Sequence, residues 1–385
     1  MKKEFGEILI VYLGSRGGGV LDTFEMAESL SKYGKNGYSV LLSENNVFRE
    51  RFESLPIRRL LVKKTHRLDT FDFLVQTLFS LRIISIKRAI KQLSPSVILF
   101  TMEHPWILPL TGLRKKGSQF PKLVYVRHNP MMFESGKSGL KNHLLSFVEN
   151  RIIKKADYVF TLSDHVRKAT IEEFGMNPKK VIDIGLGAHT SFCANWSHKA
   201  FLRDGILRLL FFGRILSYKG VDVLVAAYQK IKSEGLPVEL TIAGDGEIGF
   251  NVIETASESG VRIINRWLED SELCQLLSEA DIVVLPYKKA SQSGPASIAT
   301  ALGIPVIATR VGGLAEQVTS GVNGVLIDPN SHEEIVNAVK TFLSSPELFE
   351  RYSEQAKKMS DGDLSWREKT IGIDNLFTEL INAAT

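Results

Sequence analysis

At 385 residues the chain is longer than one hydrophobic core usually serves, so two domains of similar size are expected. Hydrophobic residues make up 44% and charged residues 24%, an average globular balance that excludes the disordered, collagen-like and disulfide-rich classes. Forty-eight Lys and Arg against 43 Asp and Glu leave a formal charge of +5, a mild excess whose placement matters more than its sum; no nucleic-acid partner is expected.

The chain opens on MKKEFGEILIVYLG, a basic tip followed by an apolar run that ends at Gly14. That run is too short for a secretory signal core and lacks a small-residue cleavage site, so it reads as a first strand. Gly14, Gly17, Gly18 and Gly19 then separate it from a helical stretch. Glycines let backbone N–H groups approach a ligand and a helix start favours negative charge, although such a run serves equally as a tight turn. Between Arg49 and Lys91, Arg58, Arg59, Lys63, Lys64 and Arg67 cluster beside apolar residues. They read either as a peripheral contact with acidic membrane lipid or as a solvated helix face.

Further short apolar runs alternate with amphipathic helical stretches: YSVLLS, SVILFTM, KLVYVRHN and DYVFTLS, then LRLLFFGR, VELTIAGDG, VRIINRW, DIVVLPY and IPVIATRVGG. Runs apolar on both faces are what a parallel sheet covered on both sides requires. The expected class is α/β, with two doubly wound Rossmann-like domains and ligands at the carboxyl ends of the strands. Glu103 and His104 end one strand as acceptor-side candidates or rim structure; Arg127, His128 and Asn129 end the next, Arg127 and Asn129 as acceptor-side candidates and His128 as a catalytic candidate or a satisfied structural residue. Strand pattern stops after Ile184 and resumes at Leu207. This places a first domain at 1–188, a linker and hinge at 189–206, and a second domain at 207–364. A helix at 365–385, with Trp366, Ile371, Ile373, Leu376 and Leu380 on one side, is expected to cross back to the first domain.

Cys193 and Cys274 are far apart and lack CxxC spacing, which supports neither a zinc site nor a disulfide framework and makes a reducing cytoplasm the expected setting. No apolar run approaches about 18 residues, so work at a membrane would be from its surface, at the inner face. No repeat of roughly 20–50 residues occurs.

In the second half, LLFFGRILSYKGVDVLVAAYQKI ends a strand at Gly213 and sets Arg214 and Lys219 in the turn before a helix. A forked guanidinium and a compact ammonium at a strand end suit a diphosphate; ordinary loop cations are the alternative. This opening resembles the donor domain of family 4 retaining glycosyltransferases, which have two Rossmann-like domains facing across a cleft (GT-B). The similarity continues in order through LTIAGDGE with Gly244, Asp245 and Gly246, through DSELCQLLSEADIVVLPY, and through GIPVIATRVGGLAEQVTSGVNGVLIDP with Gly312, Gly313 and Glu316. Gly17, Gly18 and Gly19 resemble the family's glycine loop, and His128 its histidine near the reacting sugar, which can hydrogen-bond the transferring sugar or orient the acceptor.

The resemblance implies transfer of a sugar from a nucleotide-diphosphate sugar to a hydroxyl acceptor, a glycan or lipid-linked glycan, with retention, and with no cofactor or metal. Arg214 and Lys219 would stabilise the departing diphosphate. Closure about the linker would exclude water. One departure stands out: many family members carry a pair of glutamates where this chain has Ala290 and Ile298, with SQSG between them. Ser293 can still cap a helix starting at Gly294 and Pro295, and Ser291, Gln292 and Ser293 can replace carboxylate hydrogen bonds with neutral ones. A donor-binding subunit without turnover, or a nucleotide-sugar epimerase on the same frame, are the competing readings. Glu316 either binds donor or only caps its helix.

Overall fold

The computed structural model describes residues 6–65, 81–113, 121–128, 140–193 and 201–382; Arg67 and Asn129 lie outside them. In chain order the first half contains β1 (Glu7–Tyr12), α1 (Gly18–Tyr33), β2 (Gly37–Ser43), α2 (Arg49–Glu53), β3 (Arg59–Lys63), α3 (Leu81–Leu93) and β4 (Val97–Phe100). It continues with α4 (Ile107–Leu110), β5 (Lys122–Arg127), α5 (Leu140–Ile153), β6 (Tyr158–Thr161), α6 (Asp164–Phe174) and β7 (Val181–Asp183). The seven strands order β3-β2-β1-β4-β5-β6-β7, with every pairing parallel. Strands with both faces under helices are apolar throughout, and Ile8 to Val11, Val40 to Leu42 and Val97 to Phe100 are all buried.

The second half contains β8 (Leu207–Phe212), α7 (Val221–Ser233), β9 (Val238–Ala243), α8 (Phe250–Glu258), β10 (Arg262–Ile264), α9 (Asp270–Glu279) and β11 (Ile282–Leu285). It ends with α10 (Gly294–Leu302), β12 (Val306–Thr309), α11 (Leu314–Gln317), β13 (Gly324–Ile327), α12 (His332–Ser344), α13 (Glu347–Asp361) and α14 (Trp366–Asn382). Its sheet, again all parallel, orders β10-β9-β8-β11-β12-β13. In each sheet the order reverses beside the first strand, between β1 and β4 and between β8 and β11. Those are the switch points where a doubly wound sheet opens a crevice for a ligand.

The chain divides into a first unit, running through Leu186 and taking in Trp366 onward, and a second unit, Gly187–Ser365. Helix α14 is part of the first unit because Asp374 is built into it. The Asp374 carboxylate accepts from the backbone N–H groups of Lys35 (2.9 Å) and Asn36 (3.3 Å), from Asn36 Nδ2 (2.9 Å) and from the Tyr38 hydroxyl. Thr370 adds a bond to Ser29 Oγ at 2.7 Å, while Ile373, Phe377, Leu380 and Ile381 bury the apolar side of the helix.

Cys193 and Cys274 are joined in a disulfide that pins the start of the second unit to α9, which corrects the expectation of an unpaired set. An 81-residue separation along the chain says little about distance once βα units stack, and here the Cα atoms lie 5.9 Å apart. Of the basic stretch, Arg58 is taken by Glu7 at 2.7 Å, whereas Arg59 and Lys64 are exposed.

Replacing Asp374 leaves four donors around a buried void. Asp374→Ala is expected to lower the unfolding free energy by about 3 kcal/mol in urea denaturation. A loss below about 0.5 kcal/mol would show that α14 is held by its apolar side alone.

Candidate functional site

In the second unit the turn after β8 carries Gly213, Arg214 and Lys219, and the loop after β11 carries Ser291, Gln292 and Ser293. Both flank the β8/β11 switch point. Arg214 is exposed. Lys219 is half-buried, its ammonium 3.6 Å from the centre of the Tyr287 ring and 5.2 Å from that of Tyr218. Loss of water around the ammonium, with the Arg214 charge added to it, pulls the Lys219 pKa down to about 7. The aromatic faces offset part of that loss but carry no net charge. A dianionic group placed here would restore the proton.

The start of α10 is fixed at the same place. Ser293 adopts an extended backbone and its Oγ accepts from the Ala296 N–H at 3.3 Å, while Pro295 has no N–H to satisfy. The helix therefore presents the Gly294 N–H and its positive end, fewer donors than an uncapped start would offer. Ala290 and Ile298, at the two glutamate positions, are both buried, 4% and 6% exposed, so neither position offers a polar group. Gln292 Oε1 is buried and without a hydrogen-bond partner among the described residues. A buried amide end of that kind calls for a donor from outside.

Gly244 and Gly246 have a closer reason to be glycine than a ligand. A Cβ on Gly244 would lie 1.9 Å from the Gly213 carbonyl oxygen, and one on Gly246 1.9 Å from that of Ile215. The main chains after β8 and β9 pack directly together, and Asn265 bonds Gly246 in both directions, at 3.2 and 3.0 Å. Asp245 is exposed beside them. Gly312, at φ +43°, and Gly313 precede α11, where Glu316 is exposed and Gln317 is buried.

In the first unit Gly17 and Gly18 face open space, whereas a Cβ on Gly19 would meet Met102 Sδ at 2.8 Å. His128 is buried, with Nε2 2.7 Å from the Thr101 carbonyl oxygen. A carbonyl only accepts, so Nε2 carries the proton, and Nδ1 faces Asp22 Oδ2 at 3.6 Å. At that distance the two make no direct hydrogen bond. Thr101 Oγ1 meets Thr23 Oγ1 at 2.9 Å, and Thr23 donates to the Gly19 carbonyl at 2.7 Å, tying the glycine loop to the β4 and β5 ends. Asp22, one turn along α1 from Gly18, was not singled out from the sequence.

The other first-unit candidates divide. Glu103 is exposed at the end of β4, and its charge bears on Tyr12 and Tyr125. His104 is 3% exposed and its Nδ1 accepts from the Trp106 N–H at 3.2 Å, which makes it the brace of the turn into α4. Arg127 is drawn into the helix layer, 2.6 Å from Glu173, 3.1 Å from Thr170 and 3.6 Å from Glu149. Burial pushes Glu149 up to about 7, with Arg127 opposing it. Asn129 lies outside the described residues. Among those residues no three His, Cys, Asp or Glu side chains gather as a metal-holding group, and no helix is long and apolar enough to cross a membrane.

Comparison with known proteins agrees with this arrangement. Residues 17–192 match the model of Glycosyltransferase Family 4, and residues 195–359 that of Glycosyl transferases group 1. Glycogen synthase of Mycobacterium tuberculosis is 29% identical over 234 residues, 60% of this chain and 56% of that protein, so the chain spans little more than half of this relative's length. The fold is shared with sucrose-phosphate synthase of Thermosynechococcus elongatus, at TM-score 0.75 and 17% identity, covering 98% of this chain and 100% of that one. It is shared too with Anabaena Alr3699/HepE in complex with UDP-glucose, at TM-score 0.69 and 18% identity, covering 98% and 100%. With its two halves matching in order and both sheets of the kind these enzymes share, the chain belongs to the family 4 glycosyltransferases of GT-B fold.

Proposed function

We propose that the protein transfers a hexose from a nucleotide-diphosphate sugar to a hydroxyl of a glycan or lipid-linked glycan, with retention at the anomeric carbon. The observation that supports this best is Lys219, a desolvated ammonium set at a switch point beside Arg214 and the capped start of α10. The second unit holds the donor. Arg214, Lys219 and the Gly294 N–H neutralise the diphosphate as the bond from its oxygen to the anomeric carbon breaks. The acceptor oxygen forms the new bond to that carbon, and its proton passes to the departing diphosphate. No protein nucleophile is required, and no metal or cofactor takes part in this scheme.

His128 and Asp22 in the first unit supply an imidazole nitrogen and a carboxylate for a sugar hydroxyl. A polysaccharide or glycolipid synthesis role at a membrane surface suits such an acceptor. A second reading, a binding subunit without turnover, draws on the buried Ala290 and Ile298, which leave the donor loop without carboxylates.

A panel of UDP-, GDP-, ADP- and CMP-sugars separates the two. Stabilisation by one donor with slow release of free nucleotide supports the transferase, and binding without release when acceptor glycans are added supports the subunit. Arg214→Ala with Lys219→Ala is expected to weaken that donor by about 100-fold in calorimetry. No stabilisation by any donor would overturn the assignment.

A pH dependence follows from Lys219. The diphosphate of a nucleotide sugar does not titrate near neutrality, and burial pushes the Tyr218 and Tyr287 hydroxyls beside the ammonium up, so both stay neutral over this range. Above pH about 7 the free Lys219 is neutral and the bound one charged, so binding takes up a proton. The association constant is expected to be flat below pH 7 and to fall by up to about tenfold per unit above it. Lys219→Arg should flatten the curve; an unchanged slope in that variant would assign the proton elsewhere.

A further inference from the structure

The buried Gln317 on α11 faces the donor loop and is bonded to one residue from both ends of its amide. Its Oε1 accepts from the Ser293 N–H at 2.7 Å and its Nε2 donates to the Ser293 carbonyl at 3.0 Å. Ser293 is the cap of α10, and its hydroxyl also lies 3.4 Å from the Tyr287 hydroxyl. Tyr287 is itself held, because Thr309 donates to its carbonyl at 2.6 Å, and its ring lies under the Lys219 ammonium. One connected path thus runs from Gln317 through Ser293 to Tyr287 and Lys219.

We propose that Gln317 is a positioning residue for the diphosphate of the donor: its amide clamps Ser293 and so fixes both the start of α10 and the aromatic face beneath Lys219. This rests on the donor-site reading above. A loop without carboxylates contacts its ligand through weaker neutral groups, so its geometry has to be set in advance by the protein rather than by the ligand. A planar amide paired with both the N–H and the carbonyl of one residue fixes that residue's orientation as well as its distance. A single hydroxyl cap cannot do this. Asn323, whose amide donates to the Gln317 carbonyl at 3.0 Å, holds the backbone that carries the clamp.

The test compares Gln317→Met, which keeps the buried volume and removes both bonds, with the wild type. The probes are the nucleoside diphosphate of the preferred donor and the same nucleoside without phosphate, each titrated by calorimetry. Wild-type protein that binds neither would defeat the donor-site reading itself. With wild-type binding established, Gln317→Met is expected to weaken the nucleoside diphosphate about tenfold and the bare nucleoside less than twofold. A merely structural role would weaken both alike or neither, and either result would overturn the proposal. Should Gln317→Met not fold, Gln317→Asn, which keeps the amide but is too short to reach both groups, carries the same expectation and the same refutation.

Discussion

Main chain meets main chain at the carboxyl ends of β8, β9 and β11, and the rest of the second unit's site hangs on that contact. Gly244 sits where any Cβ would enter the Gly213 carbonyl, Gly246 where it would enter that of Ile215, and Gly220 where it would enter that of Pro286, each at 1.9 Å. Gly220 also holds φ +70°, which a side chain resists. With those positions bare, the turn after β8 folds tightly against its neighbours and Lys288 donates to the Tyr218 carbonyl at 2.7 Å. The turn sets the Lys219 ammonium over the ring of Tyr287.

Electrostatics follow from that placement. An ammonium deprived of water beside a guanidinium is unfavourable in the empty protein and becomes favourable once an anion arrives, so this turn favours a negatively charged ligand. The start of α10 adds a weaker positive end through Gly294, held by Ser293 and Gln317. In the first unit the Thr101 carbonyl sets the His128 tautomer, and Thr23 ties Thr101 to the glycine loop, with Nδ1 facing Asp22.

The alternation of apolar runs and helices made the two parallel sheets legible, because strands buried on both faces have no polar period to confuse with anything else. The placement of Arg214 and Lys219 after a strand and of Ser293 at a helix start was legible for a different reason, since charge and capping chemistry at a strand end are local. What stayed hidden was set by distant partners. Gln317 and Asp22 acquire their meaning only when α11 and α1 are brought beside Ser293 and His128. Gly244 and Gly246 were singled out by the family resemblance of LTIAGDGE, and the main-chain contact each one permits is seen only in three dimensions. Arg127 was an acceptor-side candidate from its place at a strand end, yet its guanidinium lies against Glu149 and Glu173. The disulfide between Cys193 and Cys274 was hidden by the length of chain between them.

The most direct test of the account is a crystal structure of the protein with its nucleotide-sugar donor. Diphosphate oxygens within hydrogen-bond distance of Lys219 Nζ, the Arg214 guanidinium and the Gly294 N–H are the expected result. A diphosphate seated instead on the Gly17–Gly19 loop of the first unit, with Lys219 untouched over Tyr287, would contradict it.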